Sequence, residues 1–155
     1  MENLFTLMTL QKDLLEFVRL LLSEKVEFVL VGGYALAIHG APRFTEDIDF
    51  LIHISPENAD KLVKVIDQFG FGDLGLTASD FLEPGFVIQL GMPPNRIDLI
   101  TSIDGVSWKT VWESKLTYVM EDLELYVIGK EALLKNKLST GRTKDLADAE
   151  RLTQD

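Results

Sequence analysis

Residues 32 to 52 read GGYALAIHGAPRFTEDIDFLI. The stretch opens on two glycines. It closes on Asp47 and Asp49, set one residue apart in a run that otherwise consists of Ile48, Phe50, Leu51 and Ile52. Side chains at i and i+2 share one face of a strand. Asp47 and Asp49 therefore project together, while Ile48, Phe50, Ile52 and Ile54 take the opposite face, suited to packing on a helix. A buried carboxylate without compensation costs several kcal/mol, so the pattern calls for a cation beside the pair.

Outward from this strand, FVLV (28–31) reads as a short apolar strand ending at Gly32-Gly33, and Tyr34 to His39 as a short helix broken at Gly40-Ala41-Pro42. The spacing of Leu10, Leu14, Phe17, Val18, Leu21 and Leu22 predicts a helix over 10–24. Ser55-Pro56-Glu57 is a helix start, with Ser as N-cap, Pro in the first turn and an acid near the positive end. That helix carries Ala59, Leu62, Val63, Ile66 and Phe69 and stops at Gly70. Residues 70–85, rich in Gly and Asp, read as loop. FVIQLG (86–91) and RIDLIT (96–101) form a strand pair joined by MPPN. A short helix is expected over Val106–Lys115, then strands in LTYVM and LELYVIG around Glu121-Asp122. From Lys130 onward the chain reads as helix, broken at Gly141. Helix and strand mix throughout, so the class is α/β or α+β, with a mixed sheet of four to five strands and flanking helices.

The 155 residues fit one domain, 1–155, and 46% hydrophobic content is enough for its own core. No cysteine is present, which excludes disulfides and thiolate metal sites and suits the cytoplasm. The N-terminal MENLFTLMTLQKDLLEF lacks a basic leader and reads as an amphipathic helix, not a signal peptide. No apolar run approaches the roughly 20 residues of a membrane span. A net charge of −10 disfavours DNA and non-specific nucleic-acid binding. Yet Lys130, Lys135, Lys137, Arg142 and Lys144 face only Glu131 between residues 130 and 144, a local setting for an anion.

A third acid, Asp98, lies between Ile97 and Leu99 in RIDLIT. If that strand lies beside 47–54, three carboxylates converge. Mg²⁺ takes oxygen ligands from a few carboxylates, waters and phosphates, and two such ions about 3.5–4 Å apart clamp the attacking and leaving oxygens of a phosphoryl-type displacement. Asp47, Asp49 and Asp98 are thus candidate ligands and catalytic groups for Mg²⁺ or Mn²⁺. Gly32 and Gly33, lacking Cβ, let backbone approach a ligand. A triphosphate resting on the Gly33 and Tyr34 amides, at a helix N-terminus, is also within reach of Arg43 and Thr45. Plainer readings stand beside these: Gly32-Gly33 as a simple turn, Asp47 pairing with Arg43, Asp98 pairing with Arg96. His39 and His53 have no metal-ligand spacing and read as structural, and Trp108 and Trp112 as core packing.

The ordered set Gly32-Gly33, Asp47-Ile48-Asp49 and Asp98 resembles the nucleotidyltransferase superfamily with the DNA polymerase beta-like fold. Within it the chain is most similar to the AbiEii-like group, which includes toxins of type IV toxin–antitoxin systems. Arg43, Thr45, Asp47 and Asp49 match its Arg-x-Thr/Ser-x-Asp-x-Asp run. Lys137, Gly141-Arg142, Lys144-Asp145 and Asp148 match its C-terminal signature. The resemblance spans about Val26 to Leu152. It departs at Gly33, where many members have Ser, and in size, since full AbiEii-type toxins carry extra helical segments. It implies metal-dependent transfer of a nucleoside monophosphate from an NTP to an acceptor that the sequence does not name. It also implies Lys137 facing phosphate, with Arg142, Lys144, Asp145 and Asp148 as structural support. Without the resemblance, these C-terminal residues read as a solvated helix face with ordinary salt bridges. Two alternatives accompany the enzyme: a non-catalytic nucleotide-binding or antitoxin-like protein, and the catalytic half of a two-component toxin–antitoxin module with a helical partner.

Overall fold

In the computed structural model, residues 12–154 are described; the expectations for Leu10 and for the first eleven residues of the N-terminal stretch lie outside them. Six α-helices and six strands occur among the described residues, besides a π-helical turn at Asp67–Phe71 and two 3₁₀ turns. In chain order they are α1 (Lys12–Ser23), β1 (Phe28–Val31), α2 (Gly32–Ile38), β2 (Asp47–Ile52), α3 (Pro56–Ile66), β3 (Val87–Leu90), β4 (Arg96–Ile100), α4 (Trp108–Ser114), β5 (Leu116–Met120), β6 (Leu123–Val127), α5 (Lys130–Thr140) and α6 (Thr143–Leu152). The strands form one sheet in the order β3-β4-β2-β1-β6-β5. β2–β4 and β1–β6 are parallel, and the other neighbours antiparallel. The expected mixed sheet is therefore present, with six strands and not four to five. The β5–β6 hairpin joins the same sheet through β1, a long-range pairing that no local pattern reveals.

The alternation in β2 sorts its two faces. Ile48, Phe50 and Ile52 are fully buried, and Ile97 and Leu99, beside Ile48 and Phe50 in the register, extend the same apolar face onto β4. Phe17 of α1 stacks on Phe50 at 6.3 Å and meets Phe69 edge-on at 5.0 Å. The opposite face carries Asp47, Asp49 and Asp98. The 70–85 segment, read as loop, holds two short 3₁₀ turns (Gly72–Leu74 and Ala78–Phe81), and Phe81 in the second is completely buried. The second turn is capped from Thr77 N–H to Asp80 Oδ2 at 2.7 Å. The histidines are structural, as expected. His39 Nε2 meets the Ile128 carbonyl at 2.7 Å, and His53 meets Glu27 at 2.8 Å while stacking on Trp108 at 5.0 Å. Trp108 and Trp112 stack at 5.1 Å, half-buried at the edge of the core.

The start of α3 forms as the sequence predicts. Ser55 Oγ accepts from Asn58 N–H at 3.0 Å, ahead of Pro56. Asn58 itself is buried and ties three segments together. Its Oδ1 accepts from Glu27 N–H at 2.7 Å, and its Nδ2 donates to the Glu27 and His53 carbonyls at 3.1 and 2.9 Å. Asn58→Ala removes this partner from the Glu27 N–H and the His53 carbonyl, while the Glu27 carbonyl still accepts from His53 N–H at 3.2 Å. It is expected to lower unfolding free energy by about 2 kcal/mol, read as a shift in the urea midpoint; an unchanged midpoint would show that water replaces the amide.

Candidate functional site

Parallel pairing sets Asp47 opposite Arg96 and Asp49 opposite Asp98. With the two-residue alternation this brings all four side chains to one face. Ligand oxygens from Asp47, Asp49 and Asp98 lie within 4.8 Å of one another. The donor set is all carboxylate oxygen, which suits a hard divalent cation. The floor beneath it is Gly32, at φ +71°, where a Cβ would overlap the Asp49 carboxylate. Gly32 thus seats Asp49 itself. Gly33 lacks a positive φ; a Cβ there would meet Thr45 Cβ and Oγ1 at 3.0 Å. Thr45 Oγ1 in turn donates to Asp47 Oδ1 at 2.9 Å.

The cation that the acidic pair requires is Arg96. Its Nε donates to Asp98 Oδ1 at 2.9 Å, and its Nη2 to Asp98 Oδ2 at 3.1 Å and Asp47 Oδ2 at 2.9 Å. Arg43, weighed as a partner for Asp47, instead reaches Asp148 at 3.2 Å. The Asp98–Arg96 pair and the convergence of the three acids hold together; they are not alternatives. Burial, then the charges of Asp47 and Asp98, push the Asp49 carboxyl up to about 8. Burial also raises Asp98, against the hydrogen bonds from Arg96. For Asp47 burial acts upward too, but hydrogen bonds from Asp98 and Thr45 and the Arg96 charge outweigh it, and the group is lowered. Burial and the Asp47 charge raise Tyr34.

The acids open into a cavity of about 480 Å³. Its second wall comes from α5 and α6, which fold back on each other at Gly141, where φ is +72°. Lys137 is buried there, 3.2 Å from both Asp145 and Asp148. Arg142 Nε donates to Asp145 at 2.6 Å, and Thr140 Oγ1 to the same carboxylate at 2.8 Å. Arg43, Lys137, Arg142 and Lys144 all line the cavity, Lys144 being exposed. Against Asp104, which also lines the cavity, and against Asp145 and Asp148, they leave an excess of one positive charge facing the three aspartates. Val87, Ile100 and Ile103 form an apolar side. Gly33 and Tyr34 are buried, and neither they nor Thr45 lines the cavity. The sequence reading missed Gln89, Ser102 and Asn136, which do line it. Gln89 was legible in part, since it shares the alternation of an edge strand; Asn136 was not, because its position depends on how α5 docks.

Residues 17–80 match the family model described as Nucleotidyl transferase AbiEii toxin, Type IV TA system. That span holds Gly32 through Asp49 and stops short of Asp98 and the C-terminal signature. No curated protein matches the chain. Solved structures do. A putative nucleotidyltransferase from Thermotoga maritima superposes with a TM-score of 0.58 at 16% identity, covering 89% of this chain and 88% of that one. The antibiotic-resistance factor ANT(2'')-Ia gives 0.58 at 14% identity, over 90% of this chain and 80% of that one. The lincosamide antibiotic adenylyltransferase LnuA, solved with lincomycin bound, gives 0.53 at 14% identity, over 94% and 98%. At these identities the solved structures establish a shared fold. With the family match, the resemblance to the nucleotidyltransferase superfamily, AbiEii-like, is upheld.

Proposed function

We propose that this chain, with its nucleotidyltransferase fold and AbiEii-like segment, acts as one domain that transfers a nucleoside monophosphate from an NTP to a hydroxyl or phosphate acceptor, releasing pyrophosphate. The observation that carries the reading is the convergence of Asp47, Asp49 and Asp98 at one end of a cavity whose other end is cationic. The three carboxylates would hold Mg²⁺ or Mn²⁺. When bound, the metal supplies charge neutralisation at the attacking and leaving oxygens.

The chain's own residues do the positioning. Lys137, fixed by two aspartates, is a stationary charge for the triphosphate, and Arg43, Arg142 and Lys144 complete that wall. Asp145 and Asp148 brace it. No side chain caps α2, and of the three residues expected to meet phosphate there, Gly32 lines the cavity while Gly33 and Tyr34 lie buried behind it; Gly32 is the one placed for a phosphate oxygen. Thr45 acts through Asp47, holding one carboxylate oxygen. Asp98 positions the attacking hydroxyl. Fixed charges and orientation account for most of the rate enhancement in such a site. Among the described residues no helix is long and apolar enough to cross a membrane; a reaction that consumes NTP would have its substrate in the cytoplasm. The family's description supplies the ground for a toxin–antitoxin partner protein.

Calorimetric titration with each NTP tests the reading. Binding is expected with Mg²⁺ and lost or at least roughly tenfold weaker without it, and likewise in Asp98→Asn. Absence of NTP binding under both conditions sinks it.

A further inference from the structure

Arg96 stands inside the acidic cluster, not at its rim. Both oxygens of Asp98 accept from it, and so does Asp47 Oδ2, while Thr45 takes Asp47 Oδ1. Every oxygen of these two carboxylates therefore already has a donor. A divalent ion on the cluster needs some of the same oxygens. The guanidinium keeps its charge at any working pH, so relief comes only by movement. The side chain is 28% exposed, which gives it solvent to move toward.

We propose that Arg96 is an internal cation occupying a cation seat between Asp47 and Asp98, and that a divalent ion enters by displacing it from Asp47 and from one oxygen of Asp98. This rests on the metal-dependent reading above. Arg96 is then a positioning residue with a competing role. It keeps three carboxylates together in the metal-free protein and sets how tightly they take the ion.

The sign of one substitution separates this role from a supporting one. Removing an outer partner that merely orients metal ligands weakens metal binding about 10- to 100-fold. Removing a competing charge strengthens it. Mn²⁺ alone is titrated calorimetrically into the wild-type chain, Arg96→Gln, Arg96→Lys and Asp49→Asn. Arg96→Gln is expected to bind Mn²⁺ at least roughly tenfold more tightly than wild type. Arg96→Lys falls between them, because an ammonium keeps the charge and loses the fork. Asp49→Asn binds none.

In ¹⁵N spectra of the wild type, the Arg96 Nε–H signal, protected by Asp98, is expected to shift and exchange faster with water on addition of Mg²⁺. Unchanged or weaker Mn²⁺ binding in Arg96→Gln overturns the displacement role. If that variant does not fold, an Nε–H signal unmoved by saturating Mg²⁺ overturns it instead. A different pattern marks failure of the metal reading, and of this proposal with it: no Mn²⁺ bound by wild type or by either Arg96 variant, or equal binding by Asp49→Asn.

Discussion

Asp49→Asn is expected to lower nucleotidyl transfer by roughly a thousandfold or more, and at the same time to stabilise the metal-free protein at pH 8. Both effects come from the position of one carboxyl. It is placed on the Gly32 floor between Asp47 and Asp98, and burial together with those two charges raises it to about 8. The folded state thus holds a proton that the unfolded chain releases near the ordinary 3.8. Between about pH 4 and pH 8 the native protein binds more protons than the unfolded one, so stability falls as pH rises through that window. Asp98, raised in the same direction, leaves a residual slope. Asp47, lowered, works the other way, and its contribution is lost only as pH falls below its unfolded value. Asparagine cannot ionise. Urea midpoints in EDTA should therefore fall between pH 5 and pH 8 for the wild type, by an amount equivalent to a few kcal/mol, and fall much less for the variant. Parallel pH profiles would show that Asp49 does not hold the proton. Undiminished transfer would remove it from the catalytic set.

Gly32→Ala should damage fold and site together. The residue sits at φ +71°, a conformation that costs a side-chain-bearing residue about 1–2 kcal/mol. Its new methyl would overlap Asp49 Oδ2 and lie 2.8 and 2.9 Å from Asp49 Cγ and Cβ. Unfolding free energy is expected to drop by about 2–4 kcal/mol, with transfer as low as in Asp49→Asn. Gly33→Ala supplies the contrast. The atoms nearest its methyl belong to the Thr45 side chain, at 3.0 Å, with no left-handed backbone, and the variant should keep measurable transfer and most of its stability. Equal losses in the two variants, by melting temperature and rate, would dissolve the distinction between the glycines.

That contrast marks the boundary of what the sequence discloses. The two glycines look alike in the chain, and the reading of both as places where backbone meets a ligand missed that Gly32 makes room for an aspartate. The acids themselves were legible, because period-two alternation is local and an acid in an apolar run stands out. Their convergence required β4 to lie parallel to β2 in one register, which chain order suggested and only the sheet establishes. Arg96 illustrates the same limit. Its place two residues before Asp98 was visible, whereas its bond to Asp47 arises from the strand pairing. Lys137, expected to face a phosphate, lines the cavity but is held by Asp145 and Asp148 from the next helix. The burial of Phe81 was hidden by the Gly- and Asp-rich composition around it; all six strands were legible, but that β5–β6 joins the one sheet was hidden by the sequence distance between β1 and β6.

Arg43 and Asp148 are 105 residues apart in sequence, and the Arg151 side chain closes a still longer span onto the Pro42 carbonyl. Contacts of such separation form late in folding, whereas hairpins such as β3–β4 and β5–β6 close on their own within microseconds. During synthesis the N-terminal parts emerge first. The acidic half of the cavity therefore has its strands available while the cationic half is still missing, and Asp145 and Asp148 reach Lys137 only after α6 has left the ribosome. A nascent chain carries the three carboxylates without the cationic wall opposite them, so nucleotide binding as proposed above would have to wait for α5 and α6 to dock.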